Sequence, residues 1–480
     1  MRKDRLDRWM VRSLPRVLGV TLCASVVLAG ACSSKPDGTE ASGGSGGSGG
    51  KDGSGATGGS KGGSSGRGGS TASGSGGDEG GALGEGGSAA GGGEPVLAGD
   101  GTELDPGADG GGFDGVVLTG TDFVRAVTGC SAFDAASGLL ALTLDATAPS
   151  AIIRVSGGVV TVNTKACVSA DSKTKAAPAL VKSIAVTGGA EDSLLYIDGG
   201  AAFGKDLLAG SGFIVDLGAG FDIVGVLGGA GSDEVRLGAD GAATVIDFNG
   251  DLVPDVHALG ADQVIVSTGP MPDKIFGDGV DLGLMPVTLP LKLYGGGAND
   301  LLVGGAGDDE LSGGIGNDTL LAGRDPGGAD LFVGGDGEDF VDYAGRTAPI
   351  NVTTASAADD GEADEHDQVD ASVENVRGGS GDDHITGASS KNKLWGGDGN
   401  DVLLGGEGDD FLYGGAGDDT LDGQTGNDYL YGEAGDDTLT GGDGDDLLDG
   451  YPGNNTLDGG GGDADICVPT VSDTATACEL

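Results

Sequence analysis

Aromatic residues make up only 4% of this 480-residue chain, and histidine occurs three times, at His257, His366 and His384. So few rings exclude a conventional large core. Three separated histidines, none in an H-E-x-x-H or H-x-x-E-H spacing, leave no zinc-hydrolase motif. Positive charge is scarce too: 25 Lys and Arg stand against 76 Asp and Glu, a formal net charge of −51. Phosphate backbones would be repelled, which sets nucleic acid aside as a partner. The same charge suits a cation binder.

Glycine is present in excess, 105 residues, and it punctuates one nine-residue phrase repeated from Gly378 to Asp458. The phrase runs GGSGDDHIT, GASSKNKLW, GGDGNDVLL, GGEGDDFLY, GGAGDDTLD, GQTGNDYLY, GEAGDDTLT, GGDGDDLLD, GYPGNNTLD. The first position is always Gly and the fourth is Gly in all but one copy. Glycine takes the positive-φ conformations of tight turns, so six residues are expected to turn. The eighth position is Ile or Leu throughout, from Ile385 to Leu457, which predicts a three-residue strand with one buried side chain. Two phrases then make one coil, and residues eighteen apart stack at about 4.8 Å.

Stacking creates an electrostatic problem. The sixth position is Asp383, Asp401, Asp419 and Asp437 down one edge, and Asp410, Asp428 and Asp446 down the other, with Asn392 and Asn455 as exceptions. Unit charges ~4.8 Å apart repel by roughly 1 kcal/mol in water and ~3.5 kcal/mol at an effective dielectric of 20. Several such steps approach the whole stability of a domain, about 5–15 kcal/mol. A counter-cation is therefore expected, and donors that are all oxygen select calcium over softer metals.

A second strict block starts at Gly295: GGGANDLLV, GGAGDDELS and GGIGNDTLL carry sixth-position Asp300, Asp309 and Asp318. After RDPGGADLFV, GGDGEDFVD adds Asp339 and, less clearly, Asp330. Earlier still, GGAGSDEVR at Gly228 offers Asp233. The phrase resembles the RTX, or haemolysin-type calcium-binding, repeat G-G-x-G-x-D-x-U-x. The resemblance implies an all-β fold, a parallel β-roll or β-helix solenoid of glycine-rich nonapeptides. It implies several Ca2+ ions held between turns by backbone carbonyls and the sixth-position Asp. Carried over residue by residue, those ligands are Asp233, Asp300, Asp309, Asp318, Asp339, Asp383, Asp401, Asp410, Asp419, Asp428, Asp437 and Asp446. The GASSKNKLW copy, with Lys391, Asn392 and Lys393, departs from the pattern.

The rest of the chain divides by composition. Residues 1–31 have a basic start and an apolar run, Val17 to Ala31, too short for a comfortable membrane span. They end in LAGAC, which resembles a bacterial lipoprotein signal and implies lipidation of Cys32. Ala29 stands where that signal usually has Leu, so ordinary secretory cleavage stays open. Residues 32–112 are Gly/Ser-rich and are expected to form a disordered tether. Residues 113–186 read as a small β cap, with Cys130 and Cys167 as one expected disulfide. Residues 187–293 carry degenerate repeats, 294–342 the first strict block, 343–377 an acidic insert, 378–468 the second block and 469–480 a C-terminal cap. The pair Cys467 and Cys478 is expected to close the cap.

Two acidic stretches leave their readings open. DFNGDLVPD places Asp247, Asn249, Asp251 and Asp255 at calcium-loop offsets, but Leu252 stands where a Gly is usual. The insert's cluster of Asp359, Asp360, Glu362, Asp364, Glu365 and Asp367 is either a solvated loop or a further cation or partner site. Paired carboxylates also serve glycosidases, yet the repeat accounts for every pair here, and no enzyme is expected. The expectation is an exported, surface-anchored structural or adhesive protein that folds on binding calcium. Its partners are calcium, a membrane through the lipid anchor alone, and an unidentified surface ligand. It sits on the outer-membrane surface or is secreted. The alternative is a calcium-stabilised carrier of an enzymatic or ligand-binding activity in residues 113–293.

Overall fold

The computed structural model describes residues 132–479 apart from 145–148, 157, 164, 170–172, 201–211, 324–326, 355–358, 364 and 463. The expected signal, Cys32, the tether, Cys130 and Asp364 lie outside the described residues. Within them the regular structure is strand, with one short 3-10 turn at Pro178–Leu180 and no α-helix. Most strands pair in parallel with the strand one coil further on, and the fold is an all-β parallel β-roll.

In the second block the register is the eighteen-residue one that stacking demands. Lys393 pairs with Phe411, Phe411 with Tyr429 and Tyr429 with Leu447. The strands are longer than the three residues that the phrase predicts. Lys393–Asp398, Val402–Glu407 and Phe411–Ala416 each run for six residues, from the seventh position through the third of the next phrase. Pairing continues past the glycines because they place no bulk between turns: Gly397 pairs with Gly415 and Asp398 with Ala416.

Three sheets result, of 17, 10 and 8 strands. The longest passes through every part of the described chain, from Ala132–Asp134 to Ile466–Val468. Leu139–Thr143 already pairs in parallel with Ser183–Thr187, and that strand with Phe213–Asp216, so residues of the cap stand in the same stack as the degenerate repeats. The acidic insert does not interrupt this sheet: Phe340–Asp342 pairs with Asn375–Arg377, which pairs with Lys393–Asp398. The insert instead exchanges one short sheet for the other. The ten-stranded sheet ends at Gln368–Val369, and the eight-stranded sheet opens with Gly361–Glu362 and Ile350–Thr353.

A solvated loop is not what the insert forms. Asp360, Glu365 and Asp367 are buried with Arg346 and Tyr343. Arg346 pairs with Glu365 at 2.9 Å, and its Nη2 donates to the Ala322 carbonyl at 2.8 Å. The Tyr343 hydroxyl donates to Asp367 Oδ2 at 3.1 Å. A buried guanidinium supplies the countercharge without which buried carboxylates cost several kcal/mol each.

The core is a double file of the eighth positions. Ile385, Leu394, Leu403, Leu412, Leu421, Leu430, Leu439, Leu448 and Leu457 are all fully buried in one cluster that continues to the cap. Each such side chain contributes about 1.5–3 kcal/mol on burial. At the end of the stack Cys467 takes the same slot opposite Leu448, and its disulfide to Cys478 ties down the last strand. On the outer face of the long sheet, rings stack at the coil repeat: Trp395 on Tyr413 at 5.4 Å, Tyr413 on Tyr431 at 5.0 Å and Phe411 on Tyr429 at 4.6 Å.

Replacing Leu421 by Ala leaves a gap in the fully buried file of eighth-position side chains. Denaturant unfolding in saturating calcium should show a loss of about 2–5 kcal/mol. The same measurement on Ile315→Ala, whose side chain is 56% exposed, should move stability by less than about 0.5 kcal/mol.

Candidate metal centre

Each sixth-position Asp precedes a short strand by one residue, so the coil superposes these carboxylates. Three ladders form. One follows the long sheet through Asp233, Asp273, Asp300, Asp318 and Asp339 to Glu374, each acidic side chain accepting the main-chain N–H of the residue one coil earlier. Asn392 continues it through Asp410, Asp428, Asp446 and Asp465. A second holds Asp309, Asp330 and Asp367. The third runs Asp383, Asp401, Asp419, Asp437, Asn455, Asp473.

That hydrogen bond uses Oδ1. The second oxygen divides the residues into two groups. In Asp300, Asp318, Asp339, Asp401, Asp410, Asp419, Asp428, Asp437 and Asp446, Oδ2 is buried with no hydrogen-bond partner. In Asp233, Asp309 and Asp383 it accepts the main-chain N–H of the phrase's second residue: Gly229, Gly305 and Gly379. An unpartnered buried charged oxygen costs several kcal/mol. Nine such oxygens, six of them in consecutive phrases from Asp401 to Asp446, need a positive partner.

The first-position glycine makes room for one. Its φ is not in the left-handed region; positive φ belongs instead to the second and fourth positions, as at Gly397 (+124°) and Gly399 (+134°). The expectation that the first glycine serves a turn is thereby corrected. A methyl on Gly405 would lie 2.6 Å from Asp410 Oδ2 and 2.7 Å from the Gly423 carbonyl of the next coil. Carboxylate and carbonyl oxygens thus converge where a Cβ would stand. Among the described residues no three His, Cys, Asp or Glu side chains form a metal-holding group. A cation here draws most of its six to eight oxygens from main-chain carbonyls, as calcium accepts. The donor set fits calcium: hard oxygens, flexible in number, with one carboxylate per turn.

Burial pushes these carboxyls upward. Asp419 and Asp428 rise to about 7, Asp300 to about 8, and Asp401, Asp410 and Asp446 to about 6, while neighbouring carboxylates such as Asp401 beside Asp419 add to the rise. Asp318 and Asp437 shift in the same direction.

Four ladder members carry no nine-residue phrase, Asp273, Glu374, Asp465 and Asp473; Asp367 was placed only in the insert's acidic cluster, and Asp222 and Asp262 form a separate link, the Asp222 N–H donating to Asp262 Oδ2. All but Asp473 stand two residues before an inward-facing strand residue, as Asp273 does before Ile275 and Glu374 before Val376; Ala475, two residues after Asp473, is exposed. That two-residue offset, without the glycines, was the available signal. The loop at Asp247 satisfies itself: Asp247 accepts from Asn249, Gly250 and Leu252 N–H groups, and Asp255 from Phe248 N–H and Asn249 Nδ2. Leu252 takes the positive φ, +66°, expected of that loop position.

A carboxyl whose pKa rises on folding stabilises the fold below its unfolded value near 4 and loses that contribution as pH climbs through the folded value. In EDTA, far-UV circular dichroism should therefore show more β structure at pH 5 than at pH 8; equal spectra would mean that the ladder tolerates its charge unaided. Gly405→Ala should weaken calcium-dependent stability by about 1–3 kcal/mol in denaturant titrations. Gly231→Ala, which meets no atom within 4 Å, should not.

No curated protein matches the chain. The family described as RTX calcium-binding nonapeptide repeat (4 copies) matches residues 293–325, 370–403, 395–430, 404–439 and 431–465. Those windows contain eight of the nine sixth-position Asp residues that leave Oδ2 unpartnered, Asp339 lying outside them. Residues 293–325 and 370–465 are therefore RTX calcium-binding nonapeptide repeats.

Proposed function

We propose that this protein is an exported, surface-anchored structural or adhesive module without catalytic activity, whose roll forms when calcium binds. The observation that carries the reading is the row of buried, unpartnered Asp Oδ2 atoms: the folded state holds more negative charge than its own donors can satisfy. In low intracellular calcium the acidic phrases repel and the chain stays export-competent; at millimolar extracellular calcium the sites fill and the coil closes. Export is supported by the disulfide between Cys467 and Cys478 and by Cys167, which is also disulfide-bonded, since such bonds persist in oxidising compartments. No helix among the described residues is long and apolar enough to cross a membrane; the anchor in this reading is a lipid on Cys32. The three histidines lie far apart in the sequence with no zinc-hydrolase spacing, which supports a non-catalytic role.

Titrating the full chain with calcium should give a cooperative gain of β signal in circular dichroism that magnesium does not reproduce, because magnesium sheds its water reluctantly and demands a stricter geometry. Full β structure in EDTA at neutral pH would refute the coupling. Mass spectrometry of the mature N-terminus tests the anchor: an acylated Cys32 supports it, and an unmodified terminus elsewhere removes it.

A further inference from the structure

We propose that the second repeat block is bracketed by turns that need no cation, and that Asn455 is the residue that ends its calcium-dependent stretch. The inference rests on the calcium reading above. Six consecutive sixth positions, Asp401 through Asp446, leave Oδ2 buried and unpartnered. The turns on either side do not. At the start, Asp383 spends both oxygens on main-chain donors, Oδ1 on Ile350 at 2.9 Å and Oδ2 on Gly379 at 2.7 Å. Next, Asn392 accepts from Ala388 N–H at 2.9 Å and donates to the Glu374 carbonyl at 2.6 Å.

Asn455 closes the other end by a different device. Its Oδ1 accepts from Asp437 N–H at 2.9 Å, as an Asp would, which fixes the amide's orientation. Its Nδ2 then occupies the cradle beside Gly450, where the other turns hold Oδ2, and donates to the Gly450 and Tyr451 carbonyls at 2.9 and 3.0 Å. In the Asp turns a carboxylate oxygen and a carbonyl face each other there, and both are negative. The amide puts two N–H donors into that space and satisfies carbonyls of its own phrase, where a carboxylate oxygen would need a cation. The substitution also breaks the run of stacked carboxylates without adding a charge, while the main-chain ladder passes on through the Asn455 N–H to Asp473 Oδ1. Asn455 is thus a built-in replacement for the ion rather than a lapsed ligand. The last turn, further held by the Cys467–Cys478 disulfide, stays ordered without calcium and offers the loading turns an edge to pair with.

The test compares the wild-type full chain with Asn455→Asp and Asn455→Ala, using hydrogen exchange with and without EDTA and equilibrium dialysis for bound calcium. In EDTA, wild-type amides across 450–460 should exchange about tenfold or more slowly than those across 396–449. Asn455→Asp should lose that protection in EDTA, regain it with calcium, and bind on the order of one more ion per chain. Asn455→Ala, which has neither carboxylate nor donor, should lose it in both conditions and gain no ion. If the wild type takes up calcium but Asn455→Asp keeps wild-type protection in EDTA and the same ion count, the role of Asn455 is overturned and the calcium reading stands. No calcium uptake by the wild type overturns both.

Discussion

A carboxylate has two oxygens, and in most turns of this roll the protein satisfies only one of them. Oδ1 takes the N–H of the coil before, which welds successive turns together; Oδ2 is left inside, facing carbonyls. Hydrophobic burial cannot offset this alone. Each turn gains one aliphatic side chain, about 1.5–3 kcal/mol, and buries one carboxylate whose desolvation costs a similar amount or more. The narrow core explains why the acidic residues are decisive: two leucines per coil leave little surplus to absorb uncompensated charge.

The ways in which the protein avoids that cost form a series. Asp383 turns its second oxygen onto a glycine N–H. Arg346 brings a guanidinium into the insert, next to Glu365 and the Ala322 carbonyl. Asn455 exchanges the oxygen for an amide. Burial raises the carboxyls' proton affinity throughout, at Asp419 and Asp428, whose second oxygens have no donor, and also at Asp383 and Asp367. Cation, proton, guanidinium and amide are interchangeable solutions to one electrostatic demand, and their distribution along the chain separates turns that wait for an ion from turns that do not.

Much of this was legible in the sequence because the repeat is strict. An aliphatic residue at every eighth position located the core, and the Asp at every sixth located the ladders. Two features were hidden. The first-position glycine looks like a turn residue, and only its proximity to Asp Oδ2 shows that it provides space rather than conformation. The degenerate ladder members were lost because intervening segments break the period: Asp273 and Asp300 lie 27 residues apart instead of eighteen. The insert misled by composition, since a run of acidic residues reads as solvated unless one knows that Arg346 will be buried among them.

The most direct measurement is X-ray diffraction from crystals grown in calcium, with anomalous scattering collected at a wavelength where calcium contributes. Anomalous peaks beside Oδ2 of Asp401, Asp410, Asp419, Asp428 and Asp437, within about 2.3–2.6 Å, are the predicted result. Ordered turns with no peak at these oxygens would contradict the central premise, that the unpartnered carboxylate oxygen is where the ion binds.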